Sequence, residues 1–339
     1  MNTSPNSIVA NLELKEKKKS ITKRNLINSN FKCKIFVDGE EFINNTFLIN
    51  KGSHNIVYVF EEICDDLKQM FYQCGMLSSI NFANFDSHNV TDMTEMFGFC
   101  TSLTSINLVN FNSNEVNSMA GLFNHCISLE IIDLSDLNTN KVKNMSGMFH
   151  QCSSLVSINM SNLFNTNKVE YMTGMFSNCN SLTTIDLSMF NTENVKSFES
   201  MFNGCMELVS IDLRNFNTNN VTNMDNMFKM CQKLTSITLS ELFNTSKVNK
   251  MSYMFSGCHN LTSLDLSNFN TENVSNMEGM FCDCFSLISI NLSNFNTCDI
   301  KTDDKMIIMF KNCTKLEFNN LICNDIKIMG QYWLDKKNN

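Results

Sequence analysis

Met93-Thr94-Glu95-Met96-Phe97-Gly98-Phe99-Cys100 ends on a Met-Phe-x-x-Cys unit that returns ten times down the chain, with leucine replacing the methionine at Leu122. Its phenylalanines are Phe71, Phe97, Phe123, Phe149, Phe176, Phe202, Phe228, Phe255, Phe281 and Phe310, at steps of 26, 26, 26, 27, 26, 26, 27, 26 and 29 residues. A fixed period in this range is the signature of stacked repeats, each too small to bury its apolar face without a neighbour. Working outward, Met93, Met96, Phe97, Cys100 and Leu103 fall at three- and four-residue steps, which predicts a short helical or 3-10 turn. The period then drops to two at Ile106-x-Leu108, which predicts a short strand. The same strand signal returns from Ile80-x-Phe82 through Ile185-x-Leu187 to Ile290-x-Leu292. Like strands in successive coils pair in parallel. The fold class is therefore an α/β repeat solenoid with one parallel sheet of short strands and one short helical or 3-10 turn per repeat.

Stacking turns each recurring position into a column. Two apolar columns are predicted as core: Phe97, Phe123, Phe149, Phe176, Phe202, Phe228, Phe255 and Phe281, and with them Cys100, Cys126, Cys152, Cys179, Cys205, Cys231, Cys258 and Cys284. Ten of the 15 cysteines occupy this one place in the repeat, so they read as reduced structural thiols rather than a disulfide framework. A polar pair such as Asn191-Thr192 follows each strand; these residues bond nearby backbone and form turns, and stacked copies can bond one another as a ladder. Two coils carry one extra residue before the pair, at Leu163-Phe164 and Leu242-Phe243, which marks an outer bend.

The chain divides into four parts. Residues 1–30, with Lys15, Lys17, Lys18, Lys19, Lys23 and Arg24, read as a basic flexible tail. Residues 31–63 read as a small β cap, its strands separated by turns at Asp38-Gly39 and Lys51-Gly52-Ser53. Residues 64–316 are the solenoid of about ten coils of 26–27 residues, and 317–339, with the only tryptophan, form a C-terminal cap and tail.

The repeat Met251-x-x-Met254-Phe255-x-x-Cys258-x-x-Leu261-x-x-Leu264-x-Leu266-x-x-Phe269-Asn270-Thr271-x-x-Val274 resembles the BspA-like leucine-rich repeat family. That resemblance covers roughly three quarters of the chain and implies a solenoid of the leucine-rich-repeat type, coiled right-handed, in a surface-exposed protein engaged in adhesion or partner binding. The residues point to a different compartment. No run of 18 apolar residues occurs and no secretory signal opens the chain, which favours a cytoplasmic location with no membrane insertion; the cell surface is the alternative the resemblance supplies.

The net charge of −8 argues against nucleic-acid binding. The five histidines and the Cys282-x-Cys284 pair do not have the spacing of a metal site, and no phosphate loop or nucleophile motif is present, so no metal, cofactor or small-molecule substrate is expected. Asp133, Asp186, Asp212 and Asp265 share one strand-face position and are the candidate partner-binding stripe. The expected function is a non-catalytic interaction or scaffold module for an unknown protein partner. Surface adhesion is the second reading. An enzyme with a site at the N-terminal cap or the 298–306 insertion is the third.

Overall fold

The computed structural model describes residues 6–44 and 46–338 and divides into two compact units, Met1–Lys168 and Val169–Asn339. Both are stacks of β-solenoid coils of the leucine-rich-repeat type.

In the first unit β1 (Ser7–Thr22), β2 (Lys34–Val37), β3 (Glu40–Glu41), β4 (Thr46–Val59), β5 (Leu77–Asn84) and β6 (Ser105–Asn107) form one sheet in the order β3-β2-β4-β1-β5-β6. β5 and β6 are coil strands, parallel and in register with Ile80 opposite Ile106. β1 runs antiparallel to both β4 and β5 and so converts the parallel ladder into an antiparallel cap. β7 (Ile131–Asp133) and β8 (Ser157–Asn159) make a further parallel pair.

Two expectations are corrected here. The basic flexible tail is, over residues 7–22, a paired strand; residues 1–5 of that segment lie outside the described residues. Its Ile8, Ala10, Leu12 and Leu14 alternate inward and are buried, and the lysine-rich stretch is absorbed by a bulge where the register passes from Leu14 opposite Gly52 to Lys18 opposite Asn50. The turn expected at Lys51-Gly52-Ser53 does not form, because β4 runs straight through it and Gly52, at φ 137°, sits where that register shifts. Asp38-Gly39 does turn the chain: both residues have positive φ, as a two-residue hairpin between Val37 and Glu40 requires.

The short turn of each coil spends its hydrogen bonds in two directions. Met96 and Cys100 N–H bond back three residues to the Met93 and Phe97 carbonyls, at 3.2 and 3.1 Å. Glu95, Phe97 and Phe99 N–H instead reach the next coil, at Ala120, Leu122 and Asn124. Glu95 and Phe99 have φ of 51° and 60°, the third-residue conformation of a type II turn. A regular helix would spend every N–H internally and leave coils joined by side chains only. Residues in αL four positions apart, which cost about 1–2 kcal/mol each outside glycine, free every second N–H to tie the stack together.

The second unit repeats this plan with β9 (Ser210–Asp212) beside β10 (Ser236–Thr238), and β11 (Ser263–Asp265), β12 (Ser289–Leu292) and β13 (Leu321–Cys323) in one parallel sheet. No strand forms at the expected Ile185-x-Leu187, although the coil keeps a bond from Val209 N–H to the Thr183 carbonyl. After the last coil comes α1 (Ile326–Lys337), and its N-cap Asp325 and its Asp335 take the bonds that earlier coils give to the next coil. Asp325 accepts the N–H and hydroxyl of Thr297 at 2.9 and 2.8 Å and also caps the helix through Lys327 and Ile328 N–H. Asp335, nearly buried, accepts Phe310 N–H at 2.8 Å.

Candidate interaction surface

The positions that recur most strictly are spent on the interior. In the first unit Phe97, Phe123 and Phe149 stack with neighbouring ring centroids 5.4 and 5.6 Å apart. In the second Phe176, Phe202, Phe228, Phe255 and Phe281 stack at 5.6–5.8 Å, and all eight rings are at most 1% exposed. The cysteine column is buried beside them. Cys100, Cys126 and Cys152, then Cys205, Cys231, Cys258 and Cys284, each donate an S–H to the carbonyl of the preceding coil's phenylalanine, at 3.0–3.2 Å. Burial pushes the Cys152, Cys205 and Cys258 thiols up to about 12, and Cys179 lies equally buried. A thiol here fills an apolar gap and adds a weak second donor to a carbonyl that already accepts the N–H of its own coil's cysteine.

A second buried ladder runs through the polar pair. The Thr245 hydroxyl accepts Asn270 N–H and donates to the Asn270 carbonyl, both at 2.8 Å, and Thr271 does the same with Asn296. The asparagines turn outward, each accepting the N–H two residues on, as Asn270 does from Glu272. The extra residues of the long coils are Leu163 and Leu242, which project outward while Phe164 and Phe243 stay inside.

Of the candidate stripe, Asp133 lies in the first unit and Asp186, Asp212 and Asp265 in the second; Asp133, Asp212 and Asp265 are exposed at the ends of coil strands, and Asp186 is exposed at the equivalent place of a coil without one. Each carboxylate accepts the N–H two residues on, from Ser135, Ser188, Arg214 and Ser267, at 2.9–3.0 Å. The hydroxyls and N–H groups of Ser135 and Ser188 hold Asp133 and Asp186 below the usual carboxylate range, the Ser267 N–H and hydroxyl do so for Asp265, and at Asp212 the Arg214 guanidinium, 2.6 Å away, is the largest cause. The residues are thus turn formers first. Asp186, Asp212 and Arg214 also line an open cavity of about 280 Å³ with Ile185, Ser188 and Asn215. Arg214 was not singled out from the sequence, because its partner two residues away becomes apparent only when the turn is formed.

Of the five histidines, His125 and His150 meet. Phe99 stacks on His125 at 4.0 Å, His150 lies edge-on to His125 at 5.6 Å, and burial lowers both imidazole pKa values. Among the described residues no group of three or more His, Cys, Asp or Glu side chains is placed to hold a metal. Nor is any described helix long and apolar enough to cross a membrane.

The model of the family described as "Mycoplasma protein of unknown function, DUF285" matches residues 65–163, 156–240 and 235–327. These segments span the Met-x-x-Met-Phe-x-x-Cys coils that carry the resemblance to BspA-like leucine-rich repeats. Among solved structures, a leucine-rich cell surface protein from Faecalibacterium prausnitzii is 18% identical, with 78% of each chain covered and a TM-score of 0.38. The T. pallidum leucine-rich repeat protein is 18% identical over 62% of this chain and 83% of its own, with a TM-score of 0.32. A leucine-rich repeat protein from Bacteroides ovatus is 18% identical over 76% and 86%, with a TM-score of 0.21. No curated protein matches.

Proposed function

Because this chain belongs to the DUF285 family, whose matched segments are its solenoid coils, we propose that it is a non-catalytic scaffold that binds a protein partner on the outer face of its coil strands. The observation that carries this reading is the division of labour between columns. The inward positions are nearly uniform and bonded from coil to coil, whereas the outward positions change. In the second unit the residue just before each strand position is Thr183, Val209, Thr235, Thr262 and Ile288, and the stripe position reads Asp186, Asp212, Thr238, Asp265 and Asn291. Val209 and Ile288 are 43% and 48% exposed, so an apolar contact is on offer beside carboxylates. Repeat proteins present binding surfaces in this way, with a constant frame and a varied face. The net charge of −8 suits a partner with basic groups and disfavours nucleic acid.

Chemical cross-linking of the native protein in its own cells tests this, comparing wild type with Val209→Glu/Ile288→Glu. Both side chains are exposed, so the variant keeps the fold, as a thermal melt verifies. Protein adducts formed by wild type and lost in the variant support the reading. Absence of adducts from wild type, or identical adducts from both, refutes it. Surface biotinylation of the same cells separates an intracellular partner from the adhesion role that the resemblance implies.

A further inference from the structure

The inward file of β4 ends on a titratable group. Tyr58 and Ile56 are fully buried, and the next residue on the same side of the strand is His54, whose side chain is 11% exposed. Its imidazole lies between two acceptors: Nδ1 is 2.7 Å from Asp38 Oδ2, and Nε2 is 2.8 Å from the Asn50 carbonyl. Neither partner can turn away. Asn50 offers a backbone oxygen, and Asp38 is pinned by its other carboxylate oxygen, which accepts Asn55 N–H at 2.9 Å, while Asp38 N–H donates to the Asn55 carbonyl at 2.8 Å. A neutral imidazole carries one N–H, so either tautomer sets a ring lone pair against an oxygen. Only the imidazolium, with two, satisfies both.

The carboxylates that act on the ring favour its proton. Asp38 comes from the β2–β3 turn and Glu13 from β1, where it pairs with Ser53 beside His54. Lys51, the cation on β4 itself, is exposed to solvent. Burial opposes the charge, but the bonds to Asp38 and Asn50 and the two carboxylates outweigh it, which places the His54 pKa above the ordinary imidazole value. Burial likewise opposes the Asp38 carboxylate, and the bonds from His54 and from Asn55 N–H outweigh it and hold that carboxyl below its usual range. As pH rises, the pair is therefore broken by the ring losing its proton.

We propose that His54 is a proton-operated clasp on the N-terminal cap: the imidazolium fastens the β2–β3 hairpin to β4, and loss of the proton releases it. One ring joins the hairpin, through Asp38, to the part of β4 that precedes the Gly52 register shift, through Asn50. When the ring is neutral, one of these acceptors faces a lone pair and the ring must leave it. β3 is the outermost strand of its sheet, so the hairpin has no further strand to hold it. The contribution of the clasp is complete below the ordinary imidazole value and is lost as pH rises through the higher value of the folded protein. This inference is independent of the coil-strand face proposed above.

Nuclear magnetic resonance of the full chain reads the ring and the hairpin together, with His54→Gln assigning the His54 signals. The expected result is a His54 titration midpoint above those of His125 and His150, which burial lowers, with both ring nitrogens protonated below it. The Asp38 and Phe42 amides, bonded to the Asn55 and Ile35 carbonyls, should be protected from hydrogen exchange below that midpoint and lose protection above it, relative to the Phe202 amide of a buried coil. Asp38→Asn keeps an acceptor for Asn55 N–H and tolerates positive φ, but carries no charge; it should lower both the His54 midpoint and the pH at which protection is lost. A His54 midpoint no higher than those of His125 and His150, hairpin protection that does not change across the titration, or a loss at the same pH in Asp38→Asn overturns the proposal. So does the same pH-dependent loss in His54→Gln.

Discussion

Replacing Thr245 with valine is the sharpest test of how the coils are joined. The side chain is fully buried, and its hydroxyl both accepts Asn270 N–H and donates to the Asn270 carbonyl at 2.8 Å. Valine has nearly the same shape, so no cavity opens, but two backbone groups lose this partner in the interior. Each such orphan costs about 1–3 kcal/mol, and the methyl that replaces the hydroxyl returns about 0.8 kcal/mol, leaving a net loss of about 1–5 kcal/mol. Thr245→Ser is the control: it keeps both bonds and gives up one methyl, about 1 kcal/mol, and Ser113 already occupies the same place in the first unit. Urea denaturation measures the loss, and hydrogen exchange at the Asn270 amide localises it. A valine variant within about 0.5 kcal/mol of wild type, or an Asn270 amide whose exchange is unchanged, would show that the ladder does not hold the coils.

Three further outcomes are expected. Phe202→Ala removes a ring stacked at 5.6 Å on both Phe176 and Phe228 and should cost about 3–5 kcal/mol by urea denaturation; a loss below about 1 kcal/mol contradicts its place in the core. Asp265→Asn should stay within about 0.5 kcal/mol of wild type at neutral pH, because Asn291 makes the same bond to the N–H two residues on, while Asp265→Ala should cost about 1 kcal/mol. The Asp265 carboxyl is held low by the Ser267 N–H and hydroxyl, so its contribution is complete above about pH 4 and is lost as pH falls through the folded value; an alanine variant whose deficit persists in acid contradicts this. Maleimide at pH 8 should label exposed Cys298 in the native protein, and Cys205 and Cys258, pushed up to about 12 by burial, only after denaturation; native disulfides in the column would overturn it.

Much of the architecture is written in local spacing. A phenylalanine every 26 or 27 residues sets the coil length, and the drop to period two after each Leu-x-x-Ile marks the strand, because both depend on which side chains share a face. Ile8-x-Ala10-x-Leu12-x-Leu14 carried the same kind of signal, and the lysines after it obscured it. The stripe of aspartates was legible as a column, but its use in turn formation was not, since an Asp on a strand face and an Asp bonding the N–H two residues on look alike in a sequence.

The sequence by itself determined the repeat, the coil length, the leucine-rich-repeat class and the family. Tertiary structure decided how the array begins and ends and how its backbone bonds are shared. β1 is a strand because its partners, Ile56 and Ile80 opposite Ala10, lie 46 and 70 residues away, beyond any local pattern. Phe99 takes φ 60° because its N–H is claimed by Asn124 in the next coil. Asp325 and Asp335 accept from Thr297 and Phe310, groups that in earlier coils bond to the backbone of the next coil. Each of these is a contact between distant residues, whose pairing is fixed by stacking and by the requirement that buried backbone groups be bonded.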